Sequence, residues 1–379
     1  MEIKDSLVRW FIRNILLPKN EIIDKPGFII FTLSSKIGRV DLREILLPET
    51  IFIKLENETI NHFNGKGAQL LYSVGKKFGY RYALSSNYPI AKNRKEFEKI
   101  SYFLVRFLES VYARKIEYET NFNKKLFVFK AYDWIVCRKN GLGYIFSTGA
   151  GAGMLAYAFQ DFNIEAIQPK CQGRGDDYCE IICGKLNDLK TLVKDVYTET
   201  DLIKLNLKSD EYEKINKLRV PRYAKNSFKT FLDSKIFRYE HGIIRHREER
   251  LLWLESSIMY LLEKELKKLP HALDILWKVS YDWGKKLAEK AGKQNPAKFI
   301  MDFFPALGFG DILVLEKSGK YKIYVNYFPW TKWAQEIDFA MFRAMLSGII
   351  AGFIGREVKL KLIERNTSSS KGFSLVLGE

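Results

Sequence analysis

Three of the four cysteines in this 379-residue sequence lie in one short segment, CQGRGDDYCEIICG. We predict a strand over Asn163–Gln168, a tight polar turn, and a second strand over Tyr178–Cys183. Because side chains alternate along a strand, Cys179 and Cys183 should share one face with Ile181 between them. The turn should place two glycines at positive φ and use two aspartates to bond its backbone: Gly173, Gly175, Asp176 and Asp177.

Cysteine thiolates are zinc ligands, but Cys171 and Cys179 supply only two of the four that a structural zinc ion requires. Cys137 and Cys183 could complete the site only if the fold brings them close. The alternatives are a Cys171–Cys179 disulfide and a reduced pair. We expect no cofactor, with zinc as the open alternative at Cys171 and Cys179, and sub-stoichiometric zinc in protein purified without added metal.

No constellation of catalytic residues is evident, so we predict no catalytic residues and a non-enzymatic protein, with a reductase-like accessory role least favoured. The four histidines are scattered, and none adjoins a cysteine or serine in a nucleophile motif. The run Gly149–Gly153 lacks the GxGxxG spacing of a dinucleotide site. We instead expect its glycines, and those of Gly67–Gly79, to lie at close contacts between helices.

The charge balance favours acidic partners, since 62 Lys and Arg stand against 45 Asp and Glu, for a formal charge of +17. The segment Lys214–Lys229 holds six basic residues and no acidic one. Its basic and aromatic side chains could track a nucleic-acid backbone and stack on bases; the alternative is a basic surface that binds nothing. The candidate nucleic-acid contacts are Lys217, Arg219, Arg222, Tyr223, Lys225 and Lys229.

Aromatic residues make up 14% of the chain, a share that suggests large cores or an apolar pocket. On the predicted strand Leu126–Ala131, Phe127 and Phe129 share one face. An ordinary aromatic core is one interpretation and an apolar ligand pocket is the other. The candidate ligand-binding residues are Phe127, Phe129, Trp134 and Tyr157.

The N-terminal and C-terminal parts of the sequence resemble each other. The segment Lys115–Trp134 aligns without gaps to the segment Asp311–Trp330, and the tripeptide GKK occurs at both Gly75 and Gly284. We therefore predict an α/β fold of two duplicated halves, each an antiparallel sheet covered by helices, packed as a pseudo-dimer. The expected domains are a first half over 1–195, a basic linker over 196–240 and a cysteine-free second half over 241–379.

A glycine-rich helix, a strand and Cys-x-Gly-x-Gly-x-x-x-Cys together resemble the 4-vinyl-reductase-type small-molecule-binding domain. The segment Gly242–Leu266 is similar to the module that precedes this domain in sensor regions of bacterial activators of aromatic catabolism. The resemblance covers about 38–184 and 242–378. It implies a sensor that binds a phenol-like or acyl molecule, and a metal site that uses an early cysteine, an acidic residue and the two hairpin cysteines.

Two of those metal positions depart from the family pattern. Gln168 stands at the acidic position, and the early cysteine position falls on or near Ile145. The sequence also has no GxxxxGK[ST] and no helix-turn-helix that we can identify. We expect a cytoplasmic regulatory protein that can form a homodimer. Its first half should bind a small apolar ligand, and its second half should be a filled core. The alternative is a nucleic-acid or ribonucleoprotein-binding factor on a degenerate ligand-binding scaffold.

Overall fold

A computed structural model describes residues 21–35, 38–137, 141, 143–202, 221–329, 336–369 and 372–379. We refer to residues 21–202 as the first half and to residues 221–379 as the second half. The sequence predicts an amphipathic helix over Leu7–Leu17. That segment, the candidate contacts Lys217 and Arg219, and the repeated Trp330 lie outside the described residues.

The first half runs through three strands, three helices, two strands, one helix and two strands. A short helix, α5, follows the last of these. The bounds are β1 (Glu21–Lys25), β2 (Phe28–Ser35), β3 (Gly38–Pro48), α1 (Glu49–Phe63), α2 (Gly65–Ser85), α3 (Arg94–Val111), β4 (Lys115–Asn121), β5 (Leu126–Tyr132), α4 (Ile145–Phe159), β6 (Ile164–Lys170), β7 (Cys179–Lys185) and α5 (Leu186–Leu189).

After the short helix α6, the second half runs through the same order of elements. Among the described residues, no helix combines the length and apolar character needed to cross a membrane. The bounds are α6 (Phe228–Asp233), β8 (Phe237–Glu240), β9 (Ile243–His246), β10 (Glu249–Glu255), α7 (Ser257–Leu266), α8 (Ala272–Ala291), α9 (Pro296–Ala306), β11 (Asp311–Lys317), β12 (Lys320–Asn326), α10 (Ala340–Ile354), β13 (Lys361–Ser369) and β14 (Gly372–Gly378).

The strands of the described residues form three antiparallel sheets, which confirms a mixed α/β class with antiparallel sheets and helices. One four-stranded sheet has the order β4-β5-β7-β6, and the other has the matching order β11-β12-β14-β13. The strands expected over Asn163–Gln168 and Tyr178–Cys183 correspond to β6 and β7. Cys179, Ile181 and Cys183 are all buried on one face of β7, as the alternation predicts.

A six-stranded sheet with the order β1-β2-β3-β10-β9-β8 joins the two halves. At its centre β3 pairs with β10, and Glu44 lies opposite Glu255. Arg43 on β3 donates to the carbonyl oxygens of Gly308 (3.2 Å) and Tyr327 (3.0 Å) in the second half. Arg250 on β10 makes the reverse contacts with the first half, described below. Each half therefore supplies a buried arginine that holds backbone of the other.

The helices pack as two close pairs, α2 with α4 and α8 with α10, through glycines. A Cβ atom added at Gly79 would lie 2.0 Å from the carbonyl oxygen of Ala150, and one at Gly153 would lie 2.0 Å from that of Lys76. In the second pair, a Cβ at Gly348 would lie 2.0 Å from the oxygen of Tyr281. The backbones thus touch directly, which confirms that the Gly149–Gly153 run packs helices.

This contact predicts a large difference between two glycines of the same helix. Gly79→Ala should lower the free energy of unfolding by about 1–3 kcal/mol, because the methyl group must push two backbones apart. Gly65→Ala is the control, since a Cβ at Gly65 meets nothing within 4 Å. It should be neutral or stabilising by up to about 1 kcal/mol. Urea unfolding followed by circular dichroism measures both, and equal effects of the two substitutions would contradict the packing argument.

Candidate thiol cluster and aromatic core

Cys137, Cys171 and Cys179 form a cluster at one end of the β4-β5-β7-β6 sheet. All three side chains are fully buried, and their sulfur atoms lie within 4.8 Å of one another. In this structure the four cysteines are free, and Cys171 and Cys179 are not joined by a disulfide. Cys183 lies outside the cluster, with its sulfur facing Gly151 on α4.

The third thiol comes from Cys137, eight residues before the position expected for it. Ile145, on or near which the family resemblance puts the early cysteine, does not belong to the cluster. Ile145 instead begins α4, while Cys137 lies in the irregular segment after β5. Sequence spacing could not identify Cys137 because a long-range contact, rather than a local period, brings it to the hairpin.

Two buried charged residues fix the segment that carries Cys137. Glu49 on α1 accepts a hydrogen bond from the backbone N–H of Val136 (2.7 Å), and Val136 has a φ of 68° that branched residues rarely adopt. Arg250 of the second half donates to the Asp133 carbonyl oxygen (3.1 Å) and to its carboxylate (3.4 Å). We did not predict either positioning residue. Arg43 and Arg250 each lie inside a strand shortly before an apolar run, and this similarity could have identified Arg250 but not Glu49.

The turn of the hairpin brings the other two thiols to Cys137. The Asp176 carboxylate accepts from the N–H of Cys171 (2.7 Å), and Gly175 has a φ of 99°, both as predicted. Gly173 does not have positive φ, so that expectation is wrong. A Cβ there would lie 1.7 Å from the carbonyl oxygen of Cys137. Glycine is required at 173 because the turn packs directly on the Cys137 backbone.

Each sulfur atom of the cluster accepts one N–H hydrogen bond. The backbone N–H of Gly173 donates to Cys171 (3.3 Å), and that of Gln172 donates to Cys179 (3.4 Å). The side-chain amide of Gln168 donates to Cys137 through Nε2 at 3.0 Å. Sulfur is a weak acceptor as a thiol and a much better one as a thiolate, so this set of donors favours negative charge on the cluster.

The cluster does not fit the four-ligand zinc site that the family resemblance implies. Three thiols match three corners of a tetrahedral ion. Gln168 does not provide the fourth, because its Oε1 accepts from the N–H of Tyr144 (2.8 Å) while its Nε2 faces sulfur. Among the described residues no carboxylate or imidazole joins the three thiols. The cysteines alone are not evidence that zinc is bound.

The three thiols titrate very differently. Hydrogen bonds with Cys137 and Cys179 lower the pKa of Cys171 to about 3. Burial raises the pKa of Cys137 well above its ordinary value. The hydrogen bond with Cys137 lowers the pKa of Cys179, but the hydrogen bond with Cys171 and burial raise it to about 12 overall. Of the three thiols, Cys171 is therefore the one whose deprotonation the two neighbouring thiols favour.

Three of the four predicted ligand-binding residues come together. Phe127 and Phe129 are buried on the inner face of β5, and Phe129 packs against Trp134 with ring centroids 5.6 Å apart. The Trp134 indole donates to Ser147 on α4 (3.2 Å). Tyr157 is only partly buried and packs against Tyr80 on α2, at 5.7 Å. The pocket that these residues would line stays a prediction.

The described part of the basic segment is anchored by two aspartates. Asp311 accepts from the backbone N–H groups of Arg222 (3.0 Å) and Tyr223 (2.8 Å), and Asp24 accepts from that of Lys229 (2.6 Å). The side chains of Arg222, Lys225 and Lys229 are exposed. The backbone is thus fixed while the cationic ends face solvent.

At the positions aligned with the thiols, the second half has an aromatic side chain and an ion-paired arginine. When the hairpin β6-β7 is aligned with the hairpin β13-β14, Phe373 on β14 corresponds to Cys179, and its ring packs on Phe339 with centroids 6.0 Å apart. Arg365, aligned near Cys171, pairs with Asp338 (3.1 Å). A groove of about 420 Å³ beside them is lined largely by charged residues, including Asp338, Arg343, Lys361, Glu364 and Arg365.

No protein-family model matches the chain, and no curated protein sequence matches it. Among solved structures, the chain is similar to the phenol-responsive sensory domain of the transcription activator PoxR, determined with phenol. The match has 15% sequence identity and a TM-score of 0.32, and it covers 41% of this chain and 84% of that one.

The lowered pKa of Cys171 predicts a pH-dependent stability. Between pH of about 3 and 8.5 the unfolded chain holds a proton on Cys171 that the folded chain lacks, so the stabilisation grows as pH rises and is lost as pH falls. In metal-free, reduced protein, the difference in unfolding free energy between wild type and Cys171→Ser should widen by at least about 1 kcal/mol from pH 5 to pH 8.

Cys183→Ser is the matched control for this measurement. Burial raises the pKa of Cys183 to about 12, so folded and unfolded chains both hold its proton between pH 5 and pH 8. The difference between wild type and this variant should stay constant. Urea unfolding at four pH values measures both variants, and parallel curves for wild type and Cys171→Ser would show that Cys171 is an ordinary thiol.

Proposed function

We propose that this chain is a non-enzymatic regulatory protein that binds a small apolar molecule, aromatic or acyl, in its first half. The observation that carries the proposal is the difference between two halves with the same order of elements. The first half holds a buried thiol cluster next to an aromatic face. The second half has Arg365 and Phe373 at the positions aligned with Cys171 and Cys179. Since the second half folds without the thiols, their presence in the first half supports a function beyond folding.

The second half is filled where the first half would hold its ligand. Phe342 on α10 packs on Phe328 with centroids 4.9 Å apart and on Phe309 at 5.1 Å. The nearby groove is polar, so it does not suit an apolar molecule. In the first half, the indole of Trp134 and the hydroxyl of Ser147 provide a polar pair beside the rings of Phe127 and Phe129, the mixture that small-molecule sites use to orient an apolar ligand.

We also propose that the halves are duplicated 4-vinyl-reductase-type domains packed as a pseudo-dimer, with boundaries near 195 and 241. The matching strand orders of the two four-stranded sheets support this. So do the reciprocal contacts of Arg43 and Arg250, because each arginine holds the half to which it does not belong. Such an exchange is what a two-fold dimer would retain after its subunits were joined in one chain.

A ligand that binds the folded first half should raise the melting temperature. We use phenol as the aromatic probe and decanoate as the acyl probe. At a free concentration 100 times its Kd, a bound probe should raise the free energy of unfolding by roughly 3 kcal/mol and therefore the melting temperature by several degrees. Phe129→Leu should reduce that shift, because it removes the ring that faces Trp134 and keeps most of the core volume.

Val325→Ala is the control, since Val325 is fully buried at the aligned position of the second half. It should lower the melting temperature of the free protein by a loss of about 1–3 kcal/mol and leave the probe-induced shift unchanged. Differential scanning calorimetry with and without each probe measures both effects. A shift that falls equally in the two variants, or no shift with either probe, would contradict ligand binding in the first half.

A nucleic-acid-binding role is the second candidate, favoured by the exposed side chains of Arg222, Lys225 and Lys229 on an anchored backbone. If these side chains contact phosphates, single-stranded nucleic acid should bind with an affinity that falls steeply with salt. Replacing all three by alanine should reduce the slope of log K against log[salt] by about 2. Fluorescence anisotropy of a labelled oligonucleotide measures the slope, with Lys115, Lys298 and Lys320 replaced by alanine as the charge-matched control. An unchanged slope would exclude this segment as the contact.

A further inference from the structure

We infer that Cys137, Cys171 and Cys179 form a three-sulfur site for a soft, thiophilic metal ion of the Cu(I) class, with Gln168 as a hydrogen-bond donor to the site and not as a metal ligand. This inference and the apolar ligand proposed above both draw on the thiol cluster, but neither requires the other. It starts from the disagreement between this cluster and a four-ligand zinc site.

The sulfur atoms are arranged as a complete set of three. They lie within 4.8 Å of one another, and each accepts one N–H bond from a different residue. Three thiolates around a monovalent ion carry net negative charge in a buried site, and such charge must be compensated by hydrogen bonds. The three N–H groups supply that compensation, one to each sulfur.

Gln168 decides which ion the site accepts. A carboxylate at position 168 would bring a fourth anionic ligand to the place where the Nε2 group now faces the Cys137 sulfur. The amide instead gives a proton donor, and Tyr144 holds its oxygen at 2.8 Å. Arg174 fixes the backbone on the same side by donating to the Gln168 carbonyl oxygen (2.7 Å). A zinc ion in this site would therefore lack its fourth protein ligand.

Burial and ligand chemistry favour the same class of ion. All three cysteine side chains have 0% exposure, so bulk water has no direct access to supply a fourth ligand. Soft thiolate ligands select Cu(I), zinc and iron–sulfur clusters. Zinc structural sites are almost always four-coordinate, and iron–sulfur clusters are held by four cysteines. Three buried sulfurs with no oxygen or imidazole ligand among the described residues match the first case.

The test measures the affinity of the reduced full-length protein for Cu(I) and for Zn(II) separately, by anaerobic competition with a chromophoric chelator of each ion. We expect one tightly bound Cu(I), a sulfur-to-copper charge-transfer band in the ultraviolet, and three sulfur neighbours in X-ray absorption. Gln168→Glu should raise the zinc affinity, and Gln168→Leu should lower the Cu(I) affinity, each by about 10- to 100-fold.

Cys183→Ser is the control, because Cys183 is buried on the same strand as Cys179 but lies outside the cluster. The Cys183→Ser variant should bind Cu(I) with the affinity of the wild type. Circular dichroism checks that each variant is folded; if Gln168→Leu does not fold, Gln168→Glu and Cys137→Ser still decide the question. The inference is overturned if wild type binds one zinc as tightly as Gln168→Glu does, if Cu(I) does not bind, or if Cys137→Ser binds Cu(I) unchanged.

Discussion

Direct backbone contact between paired helices is the constraint on which the rest of the structure depends. Gly79 on α2 and Gly153 on α4 leave no room for a Cβ atom, so the two helix axes come as close as their backbones allow. The position of α4 is then fixed, and its first turn lies where the buried Glu56 of α1 accepts from the N–H of Phe146 at 3.0 Å. A carboxylate at a helix N-terminus is electrostatically favourable, particularly when buried. The sheet that carries the thiol cluster packs on this fixed helix.

The second organising feature is that each half is completed by the other. The segment from Asp133 to Cys137 carries both Trp134 and Cys137, and Arg250 of the second half holds its first residue. The candidate aromatic face and the thiol cluster therefore depend on a residue more than 110 positions away in the chain. Lys77 and Arg81 on α2 add buried ion pairs with Glu265 (3.0 Å) and Glu255 (2.9 Å) of the second half. Breaking one member of such a pair leaves a buried charge, which is far more costly than losing a surface pair.

Local patterns predicted the elements of the site but not its assembly. The alternation Cys179-Ile181-Cys183 and the glycine spacing of α4 report strand and helix geometry directly, and both predictions are confirmed. Cys137 was placed with its partners only by the structure, because its segment is irregular and has no period to read. The glycine at 173 was predicted for its φ, whereas the structure requires it for a contact with the Cys137 backbone. A contact with a residue 36 positions earlier leaves no local signal.

The two halves close the same hairpin by different chemistry, and that contrast bears on function. In the second half Phe373 and Leu377 fill the hairpin face, and burying such side chains is worth about 1.5–3 kcal/mol each. In the first half Cys179 and Cys183 bury less surface at the aligned positions, and a thiolate in the cluster would oppose folding unless its charge were compensated. If stability were the only constraint, both hairpins would carry large apolar side chains at these positions. The first half instead has three thiols, three N–H donors and a glutamine that faces them. The Cu(I) ion proposed above would stabilise this arrangement, because the free energy of binding a metal to a folded site adds to the free energy of folding.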